Sequence, residues 1–456
     1  MRQQAAGIFK AMKGTILVLL GLLFFTSPAA SQAQFGYTDN DDGSCTITGY
    51  SGPGGLVAIP SRINGLTVTR IGDFSFEGSP SGPWTLTGVS IPDSVTAIGS
   101  NAFAFCDNLT NVTIGNGVKA IEDEAFGDCG NLRNLTIPDS VTTIGCYAFV
   151  DCGNLTTVTF GDNVTAIGDS AFLNCGTLKN ITIPDSIAAI GSDAFGYCVD
   201  LTNVTIGNGV AAIEDATFTY CENLRNVTIP DNVTSIGAFA FCGCAALTNV
   251  NIPDSVTNIG DVAFEWCGFM NLNIPESVTS IEDYAFDGCN LTNVTIPGSV
   301  TNIGYAAFAN CKLTNVTIPG SVTSISLEAF SECPLTCIFF LGDAPRVESS
   351  FDLDTSATIY YLPGTTGWSL PFAGRKAVLW NPTINASGAR FGVKNKRFGF
   401  NITGTAHIPF VVEACNNLNN PDWIPLEKLT LTNGLVHFSD AQWRNYPERF
   451  YRIGAP

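Results

Sequence analysis

The chain has 456 residues, enough for two or three ordinary domains, with 45% hydrophobic and 13% charged residues. That balance excludes a disordered chain. With 21 Lys+Arg against 40 Asp+Glu and a net charge of −19, the surface repels phosphate backbones, and nucleic acid is excluded as an expected partner.

Residues 1–33 have the layout of a secretory signal peptide. Arg2, Lys10 and Lys13 supply a positive start, Gly14 to Phe25 an apolar run, and Ser31-Gln32-Ala33 the small residues of a cleavage site. The expected mature chain begins at Gln34. The apolar run is short of the ~20 residues that span a bilayer, and no second long run follows, so no transmembrane segment is expected in the mature chain. Residues 34–70 are expected to form an N-terminal cap and first repeat. Within them, Asp39-Asn-Asp-Asp-Gly43 faintly resembles a calcium loop. It lacks the downstream Glu and is better explained as a hairpin turn.

A repeat occupies residues 71–340. One unit runs Leu109-Thr-Asn-Val112-Thr-Ile114, then Val118, Ile121, Ala125-Phe126 and Cys129; the next opens at Leu132 with the same landmarks. The repeat Phe falls at 103, 126, 149, 172, 195, 218, 241, 264, 286, 308 and 330, spaced by 23 and, at the end, by 22 residues. Phe76 marks an earlier copy, separated by the Gly/Pro/Ser-rich insertion 78–83. A fixed period in this range is the signature of a solenoid. A single unit offers about five large apolar side chains at ~1.5–3 kcal/mol each. Ordering its backbone costs ~1–2 kcal/mol per residue, so only stacking closes the gap. Within the unit, Val112-Thr-Ile114 alternates as a short strand with Val112 and Ile114 inward. Proline (Pro92, Pro138, Pro184, Pro230) terminates many of these strands. Ser-Val-Thr-x-Ile-Gly is a second extended piece, and Ala-Phe-x-x-Cys is expected to be one helical turn with Phe and Cys inward.

The consensus Leu-x-x-Val-x-Ile-Pro-x-Ser-Val-x-x-Ile-Gly-x-x-Ala-Phe-x-x-Cys resembles the bacterial BspA-type leucine-rich repeat, from the opening Ile47-Thr-Gly-Tyr50 and Ile59-Pro60 segments to the last coil. The resemblance implies a right-handed, curved α/β solenoid: coils of 22–23 residues, Val-x-Ile strands in a parallel sheet on the concave face, short helical turns on the convex side. It also implies a cell-surface or secreted protein, in some members an adhesin. Proline stands where an Asn ladder is usual in leucine-rich repeats, which withholds that feature from the inference. A near-copy at an offset of four units (109–141 and 201–233) points to growth by duplication.

Residues 341–382 are expected to cap the array, and residues 383–456 to form a small all-β, sandwich-like domain. Its strand-like runs are Phe398–Ile402, Phe410–Glu413, Leu429–Leu431, Leu435–Phe438 and Phe450–Ile453. From residue 375 onward there are ten Lys/Arg and five Asp/Glu, whereas residues 34–374 hold eight and 35, so an acidic solenoid carries a mildly basic tail. The tail aromatics Trp423, Trp443, Tyr446 and Tyr451 are expected mainly as core, with a sugar-stacking platform as the alternative.

Three rows of residues carry the functional expectations. Eleven of the sixteen cysteines share one repeat position, 106 to 333. They are expected as buried thiols, because stacked strands lie ~4.8 Å apart whereas a disulfide needs Cβ atoms ~3.8 Å apart. Any disulfide should involve Cys45, Cys146, Cys242, Cys337 or Cys415. The carboxylates Asp93, Asp139, Asp162, Asp185, Asp231, Asp254 and Glu276 are expected to cap turns rather than bind calcium. The outward residues of the strands form a polar, uncharged row, with Asn180, Thr182, Asn203, Thr205, Asn226 and Thr228 as the candidate binding residues. A solvated sheet face kept by duplication is the competing explanation, and the Asn-x-Thr acceptors it contains are by-products of the repeat.

No nucleophile elbow, zinc-binding pair or phosphate loop occurs, and His407 and His437 lie outside any catalytic motif. No enzyme activity, cofactor or metal is expected. The expected function is a secreted or cell-surface binding and adhesion protein that recognises a protein or neutral polysaccharide through the solenoid. The alternatives are a cell-envelope spacer and a carbohydrate-binding accessory acting through the C-terminal domain.

Overall fold

The computed structural model describes residues 34–78, 85–347, 357–387 and 390–455. The signal-peptide assignment for 1–33 and residues 79–83 of the insertion lie outside them. None of the helices among the described residues is long and apolar enough to cross a membrane.

The array opens with a hairpin, Phe35–Asp39 antiparallel to Ser44–Tyr50. Its turn is closed by carboxylates: Asp39 Oδ1 accepts the Asp41 N–H at 2.9 Å, and Asp42 Oδ1 accepts the Ser44 N–H at 2.9 Å. Leu66–Ile71 then pairs in parallel with the second hairpin strand, and the coils follow. Most contribute a short strand to each of two parallel ladders; the coil at 249–251 adds none to the first, which is divided into several sheets. In the first, Asn111–Thr113, Asn134–Thr136 and Thr157–Thr159 stack like on like, as do Asn180–Thr182, Asn203–Thr205 and Asn226–Thr228. In the second, Ala97–Ile98, Ala120–Ile121, Thr143–Ile144, Ala166–Ile167 and Ala189–Ile190 do the same. Partners in the ladders lie 22 or 23 residues apart in the repeat, so the register of the sheets is the sequence period itself.

The third side of each coil is not a helical turn, and this corrects the expectation from sequence. Residues before Ala and before Cys take positive φ, as at Glu124 (54°) and Asp128 (56°), Asp193 (56°) and Tyr197 (56°). The segment is a pair of tight turns, and among the described residues the single helical element is the 3-10 turn Trp443–Asn445 in the tail. The reason lies in the hydrogen bonds. The Gly127 N–H bonds locally to Glu124 O, but the Phe126 N–H bonds to Ala148 O of the next coil at 2.8 Å, and Asp128 N–H to Val150 O at 2.8 Å. An α-helix would direct every N–H back into its own coil. The left-handed residues, each costing roughly 1–3 kcal/mol, turn alternate N–H groups outward and create a third ladder.

Inside, the repeat Phe rings form one continuous stack. Phe103 through Phe330 are essentially fully buried. Adjacent rings sit near parallel with centroids 5.0 Å apart at Phe103–Phe126, 5.4 Å at Phe172–Phe195 and 5.7 Å at Phe195–Phe218. Such pairs contribute about 0.5–1.5 kcal/mol each beyond area burial. Val112 is half-buried, while Ile114, Phe126 and Cys129 are buried with it in the same core.

After the last repeat Phe, the first ladder continues through Cys337–Phe340, Thr358–Tyr361 and Ala377–Leu379, all parallel. The tail is two antiparallel sheets. Arg397–Thr403 is central in one, with Thr383–Asn385, Gly392–Lys394 and Leu435–Asp440. Pro409–Cys415 is central in the other, with Ile424–Thr430 and Phe450–Gly454. Phe400, Ile402, Phe410, Val412 and Phe438 fill the space between, and the same cluster includes Phe339 and Tyr360 of the solenoid. The tail therefore packs onto the outward face of the array's last coils.

Candidate functional site: the outward face of the first ladder

Period-two alternation in Asn-x-Thr places the middle residue inward and the flanking two outward. All six candidate residues, Asn180, Thr182, Asn203, Thr205, Asn226 and Thr228, are exposed, and parallel pairing brings them into two straight files. The files differ chemically. Asn203 Nδ2 donates to Asn180 Oδ1 at 2.6 Å, and Asn226 Nδ2 to Asn203 Oδ1 at 2.7 Å. An asparagine ladder thus exists, but on the outward face rather than at the proline position. By contrast, Thr182, Thr205 and Thr228 have no side-chain hydrogen bond to another described residue; their hydroxyls face solvent. The neighbouring file Thr110, Thr156 and Thr202 is engaged, each hydroxyl donating at 2.9 Å to a carbonyl of the previous coil.

The carboxylate row acts within the fold. Asp93 Oδ1 accepts the Asn116 N–H at 2.7 Å, and Asp185 Oδ1 the Asn208 N–H at 2.7 Å, each one coil ahead. A second such row escaped the sequence reading: Asp123, Asp169 and Asp215 accept the N–H of Cys146, Ser192 and Ala238 at 2.7–3.0 Å. Its signal was Ile-Gly-Asp or Ile-Glu-Asp in alternate coils.

The ladder cysteines also have coil-to-coil partners. Cys129 Sγ donates to Phe103 O at 3.2 Å, Cys198 to Phe172 O at 3.4 Å, and the pattern runs to Cys333 and Phe308 O at 3.1 Å. Burial pushes the mid-ladder thiols up, to about 12 at Cys152 and Cys198, against the weaker downward pull of the hydrogen bond each accepts from the backbone of the preceding ladder cysteine, Cys129 or Cys175. The thiolate is the reactive form. We therefore expect a thiol reagent at neutral pH to label few ladder cysteines in the native chain. After unfolding without reductant it should label most of the eleven; blocked thiols throughout the ladder would overturn the packing role. Cys146 is half-exposed, while Cys45, Cys242, Cys337 and Cys415 are buried.

The tail aromatics divide. Tyr451 packs on Phe398, Phe400 and Phe438 as expected of core. Trp423, Trp443 and Tyr446 are half-buried and each lies under a guanidinium, those of Arg452 (4.4 Å), Arg444 (5.5 Å) and Arg449 (4.1 Å). These three are cation–π partners at the surface, a correction to the expected core placement. Also unforeseen are the aromatics at the left-handed turn positions: Tyr147, Tyr197, Phe239 and Trp266 are 44–50% exposed, and Tyr197 stacks on Tyr220 at 5.1 Å.

Three coil-to-coil ladders, a continuous Phe stack and a polar outward sheet define a parallel-stranded repeat solenoid closed at one end by a β domain. Residues 69–202, 142–271 and 257–343 match the BspA type leucine rich repeat region, in six copies. The chain belongs to that family. It is similar to a leucine-rich repeat protein from Bacteroides ovatus, with 25% identity, a TM-score of 0.61, and 76% of this chain and 98% of that one covered. A leucine rich cell surface protein from Faecalibacterium prausnitzii matches at 29% identity and a TM-score of 0.42, over 70% of this chain and 88% of that one. The pneumococcal vaccine antigen PcpA shares the fold at 18% identity and a TM-score of 0.51, over 76% and 96% of the two chains. No curated protein matches.

Proposed function

We propose that the chain is a binding protein of adhesion type, exported to the outside of the cell, whose outward Asn/Thr files hold an extended protein strand or a neutral polysaccharide. The observation that carries this is the file Thr182, Thr205, Thr228: hydroxyls in register, exposed, and without partners in the described chain. One hydroxyl per coil adds many weak contacts along a linear ligand, which suits a solenoid's extended surface. The Asn amides, bonded to one another, hold the file straight and keep one acceptor or donor each for the ligand. The acidic balance disfavours anionic polymers and membranes. Export rests on the leader-like residues 1–33 and on the family.

The test compares the native chain with a variant carrying Lys at Asn180, Thr182, Asn203, Thr205, Asn226 and Thr228, on arrays of neutral polysaccharides and extracellular proteins. Folding should persist, because all six side chains are exposed. Binding to the ligand recognised by the native chain should fall by more than about tenfold, or ~1.4 kcal/mol. Equal binding by both would sink the reading and shift attention to the flanks or the tail.

A further inference from the structure

Where the outward file meets the tail, its chemistry changes. Pairing continues Thr317 to Phe339, Tyr360 and Val378 on the same face, so hydroxyls give way to rings. Phe339 and Tyr360 stack at 4.9 Å, and Trp380 meets Phe339 edge-on at 6.0 Å. The Trp380 indole N–H donates to Pro409 O of the tail at 2.9 Å, tying the two units together. Between them lies a cleft of about 370 Å³, walled on the solenoid side by Thr317, Phe339, Tyr360 and Trp380 and on the tail side by Glu413 and Arg452. The last two are cross-strand neighbours, and Arg452 Nε donates to Glu413 Oε2 at 2.6 Å. The guanidinium also rests on Trp423 at 4.4 Å, which fixes its plane.

We propose that this cleft binds one neutral pyranose unit, the end of a glycan chain. Its size is at the small end of the ~300–1,000 Å³ typical of ligand sites, and its lining is largely apolar, with Leu341, Leu362 and Ile453 beside the Trp380 ring and few, convergent polar groups. The charges decide the class. Glu413 and Arg452 neutralise each other, so an anion would have to displace the carboxylate and a cation the guanidinium. An apolar occupant would cover the remaining lone pairs and N–H groups of the ion pair without replacing their water, which is costly. A pyranose ring meets both demands. Its C–H face lies on the half-buried Trp380 ring, and its hydroxyls donate to Glu413 and accept from Arg452 and the Thr317 hydroxyl. This assignment deepens the polysaccharide reading of the outward face, on which it rests for the direction of the chain, since the outward positions after Thr228, namely Asn251, Asn273, Thr295 and Thr317, run on to the cleft.

The experiment uses the mature chain and methyl glycosides of glucose, galactose, mannose and N-acetylglucosamine, followed by ligand-observed NMR, with glucuronic acid as the anionic comparison. At least one neutral glycoside should bind with a Kd on the order of 1 mM. Arg452→Gln and Glu413→Gln should each weaken it by about tenfold or more, by removing a charge-assisted hydrogen bond. Thr317→Trp, which fills the cleft from the solenoid side, should abolish it with the thermal unfolding of the chain unchanged. The six-lysine variant of the outward face should still bind the monosaccharide, so failure of the outward face and failure of the cleft are separable. Absence of any neutral binding at ~10 mM, stronger binding of glucuronic acid, or binding that survives all three cleft variants would each overturn the proposal.

Discussion

Phe195→Ala should lower the stability of the chain by about 3–5 kcal/mol, the cost of emptying a buried aromatic site, read as a shift of the denaturant midpoint. Phe195 is fully buried and stacked between Phe172 and Phe218 at 5.4 and 5.7 Å. The cavity cannot collapse, because its neighbours' backbones are held apart by ladder bonds on three sides, including Phe195 N–H to Thr217 O at 2.9 Å. A solenoid's stability is close to a sum of nearest-neighbour terms, so a defect mid-array should also uncouple its halves and broaden the transition. Phe239→Ala supplies the contrast. That ring is 46% exposed and sits at a φ of 58°, and its loss should cost less than ~1 kcal/mol. Equal effects at the two positions would show that the Phe stack is not the axis of the fold.

Arg449→Met should cost about 3–5 kcal/mol within the tail, because it leaves a buried carboxylate without its cation. Arg449 and Asp440 have side chains 5% and 7% exposed, with Nε donating to Oδ2 at 2.7 Å. The same Oδ2 accepts the Tyr451 hydroxyl at 3.0 Å, and Oδ1 accepts the Gln442 N–H at 2.7 Å. Asp440 ends a strand of one sheet and Tyr451 lies in the other, so this cluster joins the two. Its loss should appear as faster hydrogen exchange across residues 435–454 while the repeat coils keep their protection. The double variant Asp440→Leu/Arg449→Met removes both charges and should recover most of the lost stability. If the single and double variants were equally unstable, packing rather than charge would be the cause.

Much of this was legible in the residues. The spacing of Phe103 to Phe330 established the coil, since only stacked copies bury a residue recurring every 22–23 positions. Alternation in Asn-x-Thr set which side chains face out, because strand geometry has a period of two. The hairpin at Asp39–Gly43 was readable from its turn residues, and the tail strands from their β-branched and aromatic runs. The Ala-Phe-x-x-Cys segment was misjudged for a physical reason. Its composition suits a helix when a coil is considered alone, but the acceptors of its N–H groups, such as Ala148 O for Phe126, belong to the coil ahead.

What the sequence determined by itself is therefore everything that repeats: the coil length, the buried Phe and Cys columns, the outward Asn and Thr, and the family. What only the tertiary structure decided are relations between residues far apart in the chain. Stacking spaced Asn180, Asn203 and Asn226 to share amide bonds and left Thr182, Thr205 and Thr228 open to solvent. Docking of the tail covered Phe339 and Tyr360 and brought Glu413 and Arg452 beside them across a cleft. Local pattern specifies which faces are apolar, because each side chain meets the same environment in every coil. It does not specify which distant apolar face will close over another, because that choice is made by burial and hydrogen-bond satisfaction in the assembled molecule.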